Sequence, residues 1–267
     1  MQEGATDLKG IASSFVREAL ALYRASSTTE RSYYPSIRDL WARLLDSRSL
    51  PFEVRAETSE RREGEPGADQ PDLALFDEGD FVAVLGEVKN PEVEIADMAA
   101  STDRNNQVGR YLARTGVVLL SNVRSVGLLT CKPNYRRQRG TPVPPEARDL
   151  LEVVNLWPSE GAPAKGTAIP ADALQGLGDL LERAVTEFAP IAEPASLARI
   201  LARQARKAKA DLPDRFDAVA GLLDDYKTAL GLSFEVEDKR GSEFFRSSLI
   251  QTAYYGLFAG WTLWHRG

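Results

Sequence analysis

Pro71-Asp72-Leu73-Ala74-Leu75-Phe76-Asp77-Glu78-Gly79-Asp80-Phe81-Val82-Ala83-Val84-Leu85-Gly86-Glu87-Val88-Lys89-Asn90-Pro91 is the stretch whose reading decides the fold. Two apolar runs, 73–76 and 81–88, flank Asp77-Glu78-Gly79-Asp80, which reads as a tight hairpin. The second run does not alternate. A strand of that kind is covered on both faces, as in the middle of an α/β sheet. Asn90-Pro91 ends it.

A two-residue turn at Glu78-Gly79 sets Asp77 against Asp80, Phe76 against Phe81 and, counting on, Asp72 against Leu85. Side chains alternate along a strand, so Leu85, Glu87 and Lys89 share the face of Asp72. Glu87 is then the diagonal neighbour of Asp72, about 7 Å away at the backbone. Two carboxylates at that spacing can lean toward one hard cation. Together with a backbone carbonyl such as that of Val88, and water, they meet the oxygen preference of magnesium. Such a metal lowers the pKa of a bound water and neutralises phosphate charge. Lys89 on the same face can orient that water or stabilise developing negative charge. A Glu-x-Lys pair alone is commonplace. Here it closes an apolar strand, where an unpaired charge is expensive, and an aspartate on the opposing strand shares its face.

Composition leaves few other chemistries. Of 267 residues, 43% are apolar and 27% charged, which is a globular composition, and the net charge of −6 argues against a chain that binds nucleic acid over its whole surface. The single cysteine, Cys131, cannot form an internal disulfide or a thiolate zinc site. The single histidine, His265, lies near the C-terminus. Ser-His-Asp triads, HExxH metalloproteases and histidine-rich phosphoesterase sites are thereby excluded. Catalysis must run on carboxylates, lysine and a hard metal. No signal-peptide core opens the chain, and the longest apolar run, 249–264, is short and interrupted by Gln251-Thr252. The expectation is a cytoplasmic protein with no membrane partner.

Upstream, apolar spacing predicts helices over 8–24 and from about Thr29 through Leu44, with Pro35 in the first turns of the second. A short strand is expected over 52–57. Downstream come a helix over 95–114, strands over 117–120 and 126–129, a loop rich in Pro and Arg over 131–148, and a last strand over 151–156. Residues 158–170 hold Pro, Gly, Ala and Ser without periodicity and read as a domain boundary. After them only helices are expected, over 173–188, 194–210, 215–230 and 242–264. The expected organisation is an α/β domain over 1–157, a linker over 158–172 and an all-helical domain over 173–267.

This array resembles the PD-(D/E)xK nuclease superfamily: helix, strand, Pro-Asp, hairpin, Glu-x-Lys, helix and two strands. The resemblance implies a restriction-endonuclease-like mixed sheet flanked by helices. It implies magnesium-dependent hydrolysis of DNA, with manganese able to substitute, Asp72 and Glu87 as ligands and Lys89 as catalytic cation. Gln107-Val108-Gly109-Arg110-Tyr111 resembles the Gln-x-x-x-Tyr element of several such nucleases, which brings Gln107 into the catalytic set. In some of them an acidic residue of the first helix joins the metal site, and Glu30 is the matching position; a first-turn glutamate also suits the helix dipole.

A narrower resemblance links Thr29-Glu30-Arg31-Ser32-Tyr33-Tyr34-Pro35, the Glu-Val-Lys-Asn-Pro segment and Gln251-Thr252-Ala253-Tyr254-Tyr255-Gly256-Leu257-Phe258-Ala259 to the N-terminal part of single-chain restriction–modification enzymes. In those a helical connector leads into an N6-adenine DNA methyltransferase. This chain has no Asn-Pro-Pro-Tyr-type sequence and no SAM-binding glycine loop. The expectation is therefore a fragment of a larger phage-defence protein, or its split partner, with the methyltransferase and target-recognition parts elsewhere. Candidate phosphate contacts are Arg136, Arg137 and Arg139 in the loop, and Arg203, Arg206 and Lys207 on a helix. The apolar C-terminal helix is expected to pack on the other helices or on a domain beyond the chain. Two other readings stay open: a nuclease-like module that no longer cuts and serves a methyltransferase as a DNA-binding or docking part, and an RNA-directed nuclease.

Overall fold

The structure, a computed structural model, describes residues 4–25, 29–56, 71–77, 81–138, 140–157, 167–189 and 239–266, with isolated positions 198, 201–202, 204–206, 208–209 and 228. It divides into two units, Met1–Ala192 and Glu193–Gly267.

The first unit is built on a six-stranded mixed sheet in the order β1-β2-β3-β4-β5-β6. The strands are β1 (Phe52–Ala56), β2 (Leu73–Asp77), β3 (Val82–Val88), β4 (Val117–Ser121), β5 (Ser125–Cys131) and β6 (Arg148–Asn155). Every neighbouring pair is antiparallel except β3 and β4, which run parallel. A parallel pair needs a crossover, and the chain between them forms α3 (Ile95–Ala100) and α4 (Asp103–Thr115) on one face of the sheet. On the other face lie α1 (Gly4–Arg24), α2 (Tyr34–Ser47) and α5 (Ala171–Arg183). β3 is covered from both sides: Val84 and Val88 join the cluster of α1, α2 and α5, while Leu85 joins that of α3 and α4. This is the α/β arrangement that the unbroken apolar run predicts.

The hairpin register differs from the expected one, and the difference is instructive. Asp77 donates its N–H to the Phe81 carbonyl at 3.0 Å, so the connection is one residue longer than a two-residue turn. The pairs are then Phe76↔Val82, Leu75↔Val84, Ala74↔Leu85 and Leu73↔Gly86, with Ala83 bulged. Each change slips the register by one, and together they slip it by two. Because side chains repeat every two residues, the face of every residue beyond the bulge is preserved. Asp72 thus stands one step past Leu73↔Gly86, directly across from Glu87 rather than diagonal to it.

Two further expectations are corrected. The single helix over 95–114 is broken at Ser101-Thr102: Ser101 is extended (φ −61°, ψ 139°), and its hydroxyl accepts from the Asp103 N–H at 3.1 Å. The helix over 173–188 does not open a separate helical domain. Leu174, Leu177, Leu180 and Leu181 of α5 lie in the same core as α1 and α2, and the helix ends in a π turn, Ala184–Phe188. Arg48 fastens it by donating to the Gln175 carbonyl at 2.9 Å and the Asp179 carboxylate at 3.1 Å. The apolar stripe of α5 closes one face of the sheet, so the division falls after Ala192.

In the second unit the described residues are helical, and α6 (Lys239–Arg266) is the long element. Most of the expected helices over 194–210 and 215–230 lie outside the described residues. The side chains of Tyr255, Leu257 and Leu263 on α6 are exposed. Among the described residues no helix is long and apolar enough to cross a membrane.

Candidate active site

Three strand ends and one helix start meet at the site. β3 ends at Val88 beside Ser121, the end of β4, and the Lys89 N–H donates to the Ser121 carbonyl at 2.8 Å. That bond extends the parallel ladder past its last pair and holds Lys89 in line with β3. Asp72 enters at the start of β2. A 3-10 turn, Glu30–Tyr33, leads into α2 and brings Glu30 and Tyr34 to the same place. Thr29 precedes this turn, its N–H donating to the Ser32 hydroxyl at 3.2 Å.

Asp72 is 7% exposed and Glu87 3%. Asp72 Oδ2 accepts from the Val88 N–H at 2.8 Å, and Oδ1 from the Tyr34 hydroxyl at 2.5 Å. Lys89 Nζ donates to Glu87 Oε1 at 2.5 Å, to the Val88 carbonyl at 3.1 Å and to Glu30 Oε1 at 3.2 Å. The ammonium is thus held by oxygens from three of the four residues expected as ligands, and Asp72 faces them across the hairpin. Glu87 Oε2 is buried and has no hydrogen-bond partner among the described residues.

The electrostatics follow from burial and crowding. Three carboxylates, Asp72, Glu87 and Glu30, share one ammonium, so the cluster carries excess negative charge. Burial pushes the Asp72 pKa up, beyond what its bonds to Tyr34 and Val88 and the charge of Lys89 pull back. Burial, reinforced by the charge of Asp72, raises Glu87 to about 7. Burial alone would lower Lys89, but Glu87, Glu30 and Asp72 outweigh it and raise it, which keeps the ammonium charged at neutral pH. Burial and then Asp72 hold the Tyr34 phenol well above the usual tyrosine range, so its hydroxyl stays a donor.

These features fit a hard divalent cation. All available donors are oxygens, the charge is in excess, and one buried carboxylate oxygen is unsatisfied. Among the described residues no three acidic, histidine or cysteine side chains form a ready-made cage. The fit rests on two carboxylates, a carbonyl and water.

Glu87 binds a proton in the folded state at pH values where the unfolded chain has released it. Stability without metal should therefore fall as pH rises from about 4.5 to about 7. Glu87→Gln removes that loss. The variant should melt above the wild type at pH 8, by on the order of 2 kcal/mol, with the gap closing near pH 5. Melting curves in chelator at the two pH values decide it; a variant equally destabilised at both contradicts the assignment.

The structure does not bring all candidate residues to this cluster. Gln107 is buried and donates to the Tyr111 hydroxyl; among the described residues no hydrogen bond links it to the carboxylates. Gly109 between them is required by close approach, since a Cβ there would lie 2.4 Å from the Val143 carbonyl oxygen. Arg137 packs on Gly116 and donates to the Leu112 carbonyl at 3.3 Å. Gly116 precedes β4, so this arginine sits beside the strand end opposite Ser121, roughly 16 Å from the carboxylate end by strand rise. Arg136 lies in the same loop, Arg206 belongs to the second unit, and Arg139, Arg203 and Lys207 lie outside the described residues.

Tyr34 is the site residue that sequence reasoning missed. In the sequence it stands only within the Thr29–Pro35 segment, with no role of its own. The available signal was its spacing, four residues after Glu30, which places the two side chains together on one helical face.

Scanned against models of protein families, the chain matches none, and no curated protein matches it. Among solved structures it is similar to a chain of the DrdV–DNA complex, at 15% identity and a TM-score of 0.43 over 84% of this chain and 17% of that one. It is also similar to the type IIG restriction endonuclease BpuSI, at 13% identity and a TM-score of 0.36 over 77% of this chain and 23% of that one. The chain spans less than a quarter of the length of either.

Proposed function

We propose that this chain is a magnesium-dependent endodeoxyribonuclease module, the cutting part of a restriction–modification enzyme that defends against phage. The observation that carries the reading is one buried cluster. Asp72 and Glu87 lie across a hairpin from each other, Lys89 is within reach of both Glu87 and Glu30, and one Glu87 oxygen is unsatisfied. The sequence-level resemblance to the PD-(D/E)xK nucleases supplies DNA as the substrate. The N6-adenine methyltransferase and the target-recognition part belong to the same proposal, as a downstream domain or a partner.

Asp72, Glu87 and the Val88 carbonyl would hold the cation, with Glu30 at its margin. When bound, magnesium supplies Lewis acidity toward water and neutralises charge on the phosphate. The protein's own groups do the rest. Lys89 stays an ammonium at neutral pH and offers its N–H donors to the attacking water or to the phosphoryl oxygens as charge develops. Val88 and Tyr34 hold Asp72 in one orientation. The apolar strand behind the site keeps water from the back of the cluster.

Thermal melts in a magnesium titration test the reading. The wild type should gain stability up to millimolar metal, by about 2.7 kcal/mol at a hundredfold excess over the dissociation constant, and manganese should substitute. Asp72→Asn should lose the gain. A wild type indifferent to both metals would instead be a silent nuclease-like module that binds or docks without cutting.

A further inference from the structure

Asp72 is held at both oxygens by groups from different parts of the fold. The Val88 N–H, from the strand across the hairpin, bonds Oδ2 at 2.8 Å. The Tyr34 hydroxyl, from the first turn of α2, bonds Oδ1 at 2.5 Å. Tyr34 is 4% exposed and its ring belongs to the core of that sheet face, so the hydroxyl is delivered by a rigid, packed side chain. The same hydroxyl lies 3.5 Å from Glu30 Oε1, which places it between two of the acidic groups.

We propose that Tyr34 is a positioning residue that orients Asp72 for cation binding. The proposal rests on the reading of Asp72 as a metal ligand. Two bonds from two elements fix both torsions of a short side chain. Each carboxylate oxygen has two lone pairs, so Oδ1 can accept from Tyr34 and still face a cation. Without the hydroxyl, Asp72 keeps only its Val88 bond and can swing about it. The cation then has to order the ligand itself, and affinity falls. Outer partners of this kind change metal affinity by roughly 10–100-fold when removed.

The test is calorimetric titration of magnesium into the full chain, wild type and Tyr34→Phe, without nucleic acid. The expected result is a dissociation constant raised roughly 10–100-fold in the variant. A tyrosine that only packs would give the reverse: unchanged affinity, with or without a lowered melting temperature. That result overturns the proposal. The two readings fail separately. If the wild type binds no magnesium, the metal site itself is wrong, and this inference falls with it. If the wild type binds and Tyr34→Phe binds equally, only the role of the hydroxyl is wrong. Should the phenylalanine variant not fold, replacement of Tyr34 by 4-aminophenylalanine keeps a donor at the same ring position. Affinity near wild type then supports the positioning role, and a tenfold loss contradicts it.

Discussion

Replacing Lys89 by alanine should reduce magnesium-dependent cutting of DNA by at least about a hundredfold, and a thousandfold is within the range for one well-placed charge stabiliser. Lys89 Nζ touches Glu87 Oε1, Glu30 Oε1 and the Val88 carbonyl, so its removal changes two things at once. The reacting phosphate loses a cation, and the carboxylates lose the positive charge that shares their site. The second effect works in favour of metal. Three acidic groups without the ammonium attract a divalent ion more strongly, so magnesium affinity in Lys89→Ala should hold or rise while cutting disappears. A ligand variant such as Asp72→Asn should lose both together. That split separates a catalytic cation from a residue that merely keeps the site folded. The metal-free variant should be less stable at neutral pH, because buried Glu87 loses its ion-pair partner and must take up a proton, and magnesium should restore it. Nuclease assays alongside magnesium calorimetry check both halves; parallel loss of binding and cutting in Lys89→Ala contradicts the role given to it.

The second large effect concerns the fold. Arg148→Met should lower stability by roughly 3–5 kcal/mol, which for a domain of this size is on the order of 10 °C in melting temperature. Arg148 is 6% exposed. Its guanidinium donates to the carbonyls of Ala99 at 2.7 Å, Ser101 at 2.8 Å and Val143 at 3.0 Å, and to the Asn106 side chain. Burial lowers its pKa, and its hydrogen-bond acceptors are neutral oxygens rather than carboxylates. The planar fork therefore gathers the end of α3, the start of α4 and the loop at Val143 onto β6. Methionine fills a similar volume but leaves those oxygens unpaired in a closed interior. Lysine should rescue little, since one ammonium cannot reproduce the fork. Calorimetric melting decides it, and a shift under about 2 °C would mean that the bonds are replaceable by water.

How far the sequence carried the reading depends on the range of the forces involved. The apolar run 82–88 is local, and it correctly announced a strand covered on both faces. The shared face of Asp72, Glu87 and Lys89 was legible even though the register was not, because a slip of two residues leaves parity unchanged. A turn of one more residue without the Ala83 bulge would have turned Asp72 to the other face. Long-range determinants were illegible. Ser101-Thr102 is a weak helix breaker on its own; the break is held by Arg148, nearly fifty positions on. Residues 158–170 have the composition of a linker, and only the packing of Leu174 and Leu177 on α1 and α2 shows that the domain continues past them. Arg137 is a candidate phosphate contact by charge alone, and the path of its loop, which takes it to the end of β4 away from the carboxylates, is not legible in the sequence. For Tyr34 the local spacing to Glu30 hints at the acidic cluster, but the carboxylate its hydroxyl meets lies 38 positions away and is not marked locally.

The most direct measurement of the central claim is plasmid cleavage by the purified chain in magnesium, beside the same protein in chelator and beside Lys89→Ala with retained magnesium affinity. The site described here predicts nicked or linear plasmid in the first reaction and intact supercoiled plasmid in the other two. Equal cutting by Lys89→Ala, or cutting that survives the chelator, would contradict it.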